Sequence, residues 1–179
     1  MRLQQLRRPA QLIFVLTACI FSLVSCQEKP PGSHTEEAGA QPGPEGCTLF
    51  FNNYNTQAVN NGANKPEFTL KRDDPSELCR IETYHWNNGQ GKQPGAIGLL
   101  NTTTGVQYGL FPAAGKPGQG GAPNVNWEHD LNPRIELKPG KYEVLDSDPA
   151  SWSWNSTSLD RGTPPKPSGF AKVWLAQAR

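Results

Sequence analysis

Beyond Cys47 no stretch of this chain carries ten residues of 3.6-residue amphipathic period; its apolar residues fall in short runs of period two, separated by clusters of Asn, Gly and Pro. Such a chain buries apolar surface as strands. Glycine and proline, 18 and 17 of 179 residues, interrupt any longer element and exclude a helical bundle. Eight strands are predicted, over 47–54, 67–71, 78–86, 96–101, 106–112, 134–137, 141–145 and 170–175. Within one chain segment of 47–179 they predict a single all-β module, a β-sandwich, with the jelly roll as one form it could take. Lys138-Pro139-Gly140 predicts a hairpin between the sixth and seventh, because proline presets one turn dihedral and glycine accepts the positive one.

Alternation assigns faces. Cys47, Leu49 and Phe51 share one side of the first strand, and Cys79, Ile81 and Thr83 share one side of the third with His85 beyond them. Both cysteines then fall on the apolar side. Outside the cytoplasm two thiols in one small domain oxidise, so a Cys47–Cys79 disulfide is predicted, two free buried thiols being the alternative. In the chain-entropy account, closing that loop contributes about 3–4 kcal/mol.

The first residues carry an export signal. Arg2, Arg7 and Arg8 precede an apolar run, 12–24, of about 13 residues, whereas a spanning helix needs roughly 20. The run ends at Leu23-Val24-Ser25-Cys26, which resembles the lipobox of bacterial lipoproteins: an aliphatic residue, a small or branched one, a small one, then the lipidated cysteine. Leu16-Thr17-Ala18-Cys19 also fits, but cleavage there would strand Ile20 to Val24 at the new N-terminus, so Cys26 is the expected lipidation site. The alternative is an ordinary thiol after a simply cleaved secretory signal. The resemblance implies a signal peptide over 1–25 and a protein anchored by acyl chains, palmitate among them, to the cell membrane or outer membrane. Gln27, in place of Asp, implies passage to the outer membrane. Each buried lipid CH₂ contributes about 0.8 kcal/mol, so several chains on one cysteine hold a soluble domain without any apolar protein surface.

Residues 26–46 are expected to form a disordered tether. The segment after Cys26 holds prolines, glycines and glutamates and no large apolar residue, so nothing offsets the entropy of ordering it. Its root-mean-square reach is roughly 25 Å. His34 reads there as a solvated linker residue.

Charge narrows the partners. Seventeen basic against sixteen acidic side chains, less the three arginines of the leader, leaves no basic excess for nucleic acid or for anionic lipid. Catalytic pairings are scarce. His85 and His129 have no second histidine at metal-ligand spacing, and Glu128-His129-Asp130 points consecutive side chains to opposite faces. Glu128 and Asp130 are the residues a hydrolase would use, but the expectation is a protein that is not an enzyme. Gly115 to Gly121 lacks the Lys-Ser or Lys-Thr of a phosphate cradle and reads as a surface loop. Asp146 and Asp148 could offer oxygens to calcium, although Pro149 follows and the remaining ligands of an EF-hand are missing; no other cofactor is implied.

Aromatic residues carry the binding expectation. Trp86, Trp152 and Trp154, with Asn87 and Asn88, could form a sugar surface, because C–H faces of a sugar stack on rings while its hydroxyls seek amides. Trp127 and Trp174 are assigned to the core, and burial of the other three is the competing expectation. The segments 84–89, 94–99, 115–121 and 137–152 resemble a module that recurs in secreted bacterial proteins and has no assigned activity. The resemblance implies an extracytoplasmic all-β domain. Together these readings predict an envelope lipoprotein whose non-catalytic module binds a glycan, or alternatively an envelope structural or inhibitory protein that binds another protein.

Overall fold

A computed structural model describes residues 43–178; the predicted leader 1–25, Cys26 and the tether through residue 42, with Cys19 and His34, lie outside the described residues. Among the described residues eleven strands follow one another: β1 (Thr48–Asn52), β2 (Asn60–Asn61), β3 (Glu67–Leu70), β4 (Glu77–Tyr84), β5 (Ala96–Asn101), β6 (Gln107–Pro112), β7 (Ala114–Lys116), β8 (Asn126–Glu136), β9 (Gly140–Asp146), β10 (Ser153–Trp154) and β11 (Ala171–Ala176). Every pairing among them is antiparallel. One sheet has the order β1-β11-β4-β8-β7, the second has β3-β9-β5-β6, and β2 with β10 forms a ribbon. The fold is an all-β sandwich.

Its core follows from period-two strands. In β11 (AKVWLA) Ala171, Val173 and Leu175 turn inward while Lys172, Trp174 and Ala176 turn outward. Ile81 of β4, Trp127 of β8, Ile97 and Leu99 of β5, and Tyr142 and Val144 of β9 complete the interior from both sheets. Phe68 lies between Phe51 and Tyr142, with ring centroids 5.6 and 5.3 Å away. Full burial of each such side chain contributes about 1.5–3 kcal/mol, which is what holds two sheets of such short strands together.

The disulfide forms between Cys47 and Cys79, with Cα atoms 6.5 Å apart. It does not point into the core. β1 carries a bulge against β11 between Leu49 and Phe51, and β4 carries one against β11 between Leu78 and Arg80. Each extra residue reverses the alternation, so Leu78 and Ile81 both face inward while Cys79 joins Cys47, Trp174 and Ala176 in a small cluster on the outer face. For the same reason Phe51 is core and Leu49 remains 46% exposed, although strict alternation had placed them together.

Two other expectations change. Lys138-Pro139-Gly140 is not a hairpin turn, because β8 pairs with β4 and β7 whereas β9 pairs with β3 and β5; it is the corner at which the chain leaves one sheet for the other. Tyr142 Oη and Asn101 Nδ2 donate to the Lys138 carbonyl and fix that corner. The strand predicted at 134–137 is the end of the eleven-residue β8, whose first half was hidden by Asn132-Pro133. Between Arg80↔Asp130 and Leu78↔Ile135 the partner strand advances five residues for two, and proline is tolerated in that interruption because no ladder bond is required of it. The glycine-rich 115–121 stretch forms the end of β7 and the short 3₁₀ turn that leads into β8.

Residues 44–46, assigned to the tether, contact the module: Cys47 N–H donates to Pro44 O, and Arg134 Nη2 donates to Glu45 O at 2.6 Å. Replacing Cys47 and Cys79 together by serine removes a covalent link across 32 residues of sequence. The expected loss is about 3 kcal/mol in urea unfolding, with the fold retained by circular dichroism.

Candidate functional site

One end of the sandwich gathers most of the residues that could meet a ligand. β4 leaves its sheet there at Tyr84, β9 ends at Asp146, and the β2–β10 ribbon lies beside them. Trp86 N–H donates to Ser153 Oγ at 2.8 Å, which ties the exit of β4 to the ribbon. Trp154 Nε1 donates to Asn61 O at 3.3 Å, and Asn61 Nδ2 donates to Asn87 Oδ1 at 3.4 Å. Asn61 therefore links Trp154 to the turn that follows Trp86.

That turn is unusual. Asn87, Asn88 and Gly89 have φ of 43°, 56° and 81°, three successive residues in the left-handed region, where asparagine and glycine are the residues best tolerated. Asn87 Nδ2 closes it by donating to Gly91 O. Asn88, Asn60 and Asn61 are exposed and the two indoles, Trp86 and Trp154, are half-buried. None of these side chains is charged.

Trp152 does not belong to this surface. It is fully buried, donates Nε1–H to Phe170 O at 2.8 Å and presses so closely on Gly169 that a Cβ there would sit 2.4 Å from its ring. Trp152 and Trp154 would share a face only in an extended segment, and a turn closed by Ser151 N–H to Asp148 O precedes a ribbon strand of two residues. Trp127 is core as expected, and Trp174 is buried on the outer face beside the disulfide.

Beneath Trp86 lies a buried polar chain. His85, with no exposed surface, has Nδ1 2.9 Å from Ser151 Oγ and Nε2 3.1 Å from Asp146 Oδ2. Thr83 Oγ1 donates to the same Asp146 oxygen at 2.8 Å and lies 3.1 Å from His85 Nε2. Asp148 N–H donates to Asp146 Oδ1 at 2.8 Å. Trp127 stacks on the imidazole with centroids 3.7 Å apart and anchors its own Nε1–H on Lys92 O.

The proposed calcium pair is thereby given separate partners. Asp146 has a fully buried carboxylate spent on Thr83, His85 and a backbone N–H, while Asp148 pairs with Lys92 Nζ at 3.0 Å. Burial raises the Asp148 carboxyl, but hydrogen bonds from Lys92 and Ser151 outweigh it and hold the group below its ordinary range. Among the described residues no three His, Cys, Asp or Glu side chains are grouped as metal ligands.

Glu128 and Asp130 point outward and His129 the other way, as alternation requires. His129 stacks on Phe111 and donates Nδ1–H to Pro112 O at 2.9 Å. Asp130 accepts from Arg80 Nη2 at 2.9 Å, a hydrogen bond that holds its carboxyl below the usual range. The Glu128–Asp130 pair has no histidine between its carboxylates.

Sequence reasoning missed Ser151, Thr83 and Asn61. The Thr83 and His85 spacing already put them on one face of β4, but Asp146 and Ser151 lie 61 and 66 residues from His85, so only the fold assembles them. No protein-family model, curated protein or solved structure matches the chain significantly. Replacing Asp146 by alanine removes the acceptor for Thr83 and His85 in an interior without compensating donors or acceptors. The expected cost is about 2 kcal/mol, read as a lower urea midpoint at unchanged slope.

Proposed function

We propose that this chain is a lipid-anchored extracytoplasmic protein whose sandwich binds a glycan at the Trp86–Trp154 end. The observation that carries the binding half is the surface itself: two half-buried indoles, with Asn61 bonding Trp154 on one side and Asn87, next to Trp86, on the other, beside the exposed amides of Asn60, Asn61 and Asn88. Rings held at half burial offer a flat apolar face at little cost in conformational entropy. Amides supply both a donor and an acceptor to hydroxyl groups, which charged side chains do not. The triple left-handed turn fixes the asparagines before any ligand arrives, so less ordering remains to oppose binding. Lacking charge, the surface fits neutral sugars.

The anchoring half rests on the sequence, on Arg2, Arg7 and Arg8, the apolar run 12–24 and the Leu23-Val24-Ser25-Cys26 box. A neutral module with no basic cluster needs such an anchor to stay at a membrane.

Expressed as the full chain in a bacterial envelope, the protein is expected to sediment with membranes, and Cys26→Ser to move to the soluble fraction. Continued sedimentation of Cys26→Ser would sink the anchor. The released Cys26→Ser protein is expected to bind neutral oligosaccharides on a glycan array, with Trp86→Ala and Trp154→Ala each weakening binding about tenfold, or 1.4 kcal/mol. An array on which nothing binds, or binding that survives both substitutions, overturns the surface assigned here.

A further inference from the structure

The buried chain beneath Trp86 has an order that neither packing nor sugar binding requires. A hydroxyl, Ser151 Oγ, meets one imidazole nitrogen of His85 at 2.9 Å, and a carboxylate, Asp146, meets the other at 3.1 Å. That is the sequence nucleophile, base, orienting acid, in which the carboxylate fixes the imidazole tautomer and the imidazole withdraws the hydroxyl proton. With the ring proton on Nε2 facing Asp146 and Thr83, Nδ1 is left to accept from Ser151 Oγ at 2.9 Å, nearer than the competing acceptor, the Asp148 carbonyl oxygen at 3.4 Å. From this geometry we infer that Ser151 is an acyl-accepting nucleophile and that the protein hydrolyses carboxylic esters. The inference goes beyond glycan binding and does not depend on it.

Three observations extend the argument past hydrogen bonding. The base cannot swing away: Trp127 stacks on the imidazole, and Thr83 Oγ1 and Asp148 N–H hold both oxygens of Asp146. As whole residues, Ser151 retains 7% exposure whereas His85 retains none, so of the two only the serine borders solvent. The residue after a nucleophilic serine commonly supplies a backbone N–H to the oxyanion, and among the described residues the Trp152 N–H has no acceptor paired with it.

The reaction balances with water as the second substrate. Ser151 Oγ forms a bond to the ester carbonyl carbon while its proton passes to His85 Nδ1; the tetrahedral adduct then breaks its bond to the alcohol oxygen, which takes that proton from His85. Water attacks the acyl-serine with His85 again as base, and its collapse releases the carboxylic acid and returns the proton to Ser151. Asp146 acts as a positioning residue throughout.

Treating the folded wild-type protein with a fluorophosphonate ester is expected to add one phosphonyl group, located at Ser151 by peptide mass spectrometry and absent after heat unfolding. Hydrolysis of p-nitrophenyl acetate should be saturable and fall at least a hundredfold in Ser151→Ala, a substitution small enough to preserve the fold. Asp146→Asn should slow labelling at least tenfold and change its pH profile, which a structural role alone would not do. Failure of millimolar probe to modify Ser151 in folded wild-type protein over hours overturns the inference whatever the variants do. A glycan array repeated with Ser151→Ala separates the two proposals: retained sugar binding with lost labelling leaves both standing, and retained sugar binding with no labelling in wild type removes only this one.

Discussion

The inner face of β4 governs the molecule. Along it, Leu78 and Ile81 are apolar, Thr83 is a hydroxyl and His85 is a base, so a single strand passes from core to polar chemistry within eight residues. Flanked by β11 and β8, this strand cannot shift register without exposing its apolar half. His85 is thereby delivered, already ordered, to the place where Asp146 and Ser151 arrive from other elements. A fully buried histidine among carboxylate and hydroxyl partners is stable only because each polar atom finds a mate.

The opposite face of the same sheet solves a different problem. Lys172, Glu82 and Glu128 lie in one cross-strand row, and Trp174, Arg80 and Asp130 in the next. Lys172 Nζ bonds Glu82 at 2.8 Å and stands 4.2 Å above the Tyr54 ring, while Arg80 covers Trp174 at 5.6 Å. Burial first, and then the nearby Glu82 carboxylate, keep the Tyr54 phenol protonated well above the pH at which tyrosine ordinarily ionises. Glu82 and Glu128, almost wholly buried, each keep one carboxylate oxygen without a hydrogen bond among the described residues. Such charges contribute specificity of pairing more than stability, because their desolvation consumes most of what their attraction returns.

What the sequence made legible was set by periodicity. Each of the eight strands drawn from alternation exists, since alternation and half-burial are two statements of one fact. The disulfide was legible as a pairing but not as a direction: a single extra residue in β1 and one in β4, both opposite β11, reversed faces that alternation had assigned, and bulges leave no mark in composition. The first half of β8 was invisible because Asn132-Pro133 looks like an end when it is an interruption. Of the aromatic surface, Trp86 and Trp154 kept partial exposure while Trp152 entered the core, a choice made by Gly169 and Phe170 some seventeen residues downstream. The Ser151, His85 and Asp146 chain needed the turn before β10, the residue that follows β4 and the end of β9 to meet, and no local pattern announces that.

The placement of the Cys47–Cys79 link has a mechanical meaning. β1 is an edge strand held to one neighbour, the kind of element that tension peels away first. Any pull arriving along the backbone from before residue 47 reaches the sulfur bridge ahead of the β1 ladder and is handed directly to β4, a strand paired on both sides. Load thus bypasses the weakest seam of the sandwich, and the rim at the far end of β4 is spared distortion when the chain is tugged.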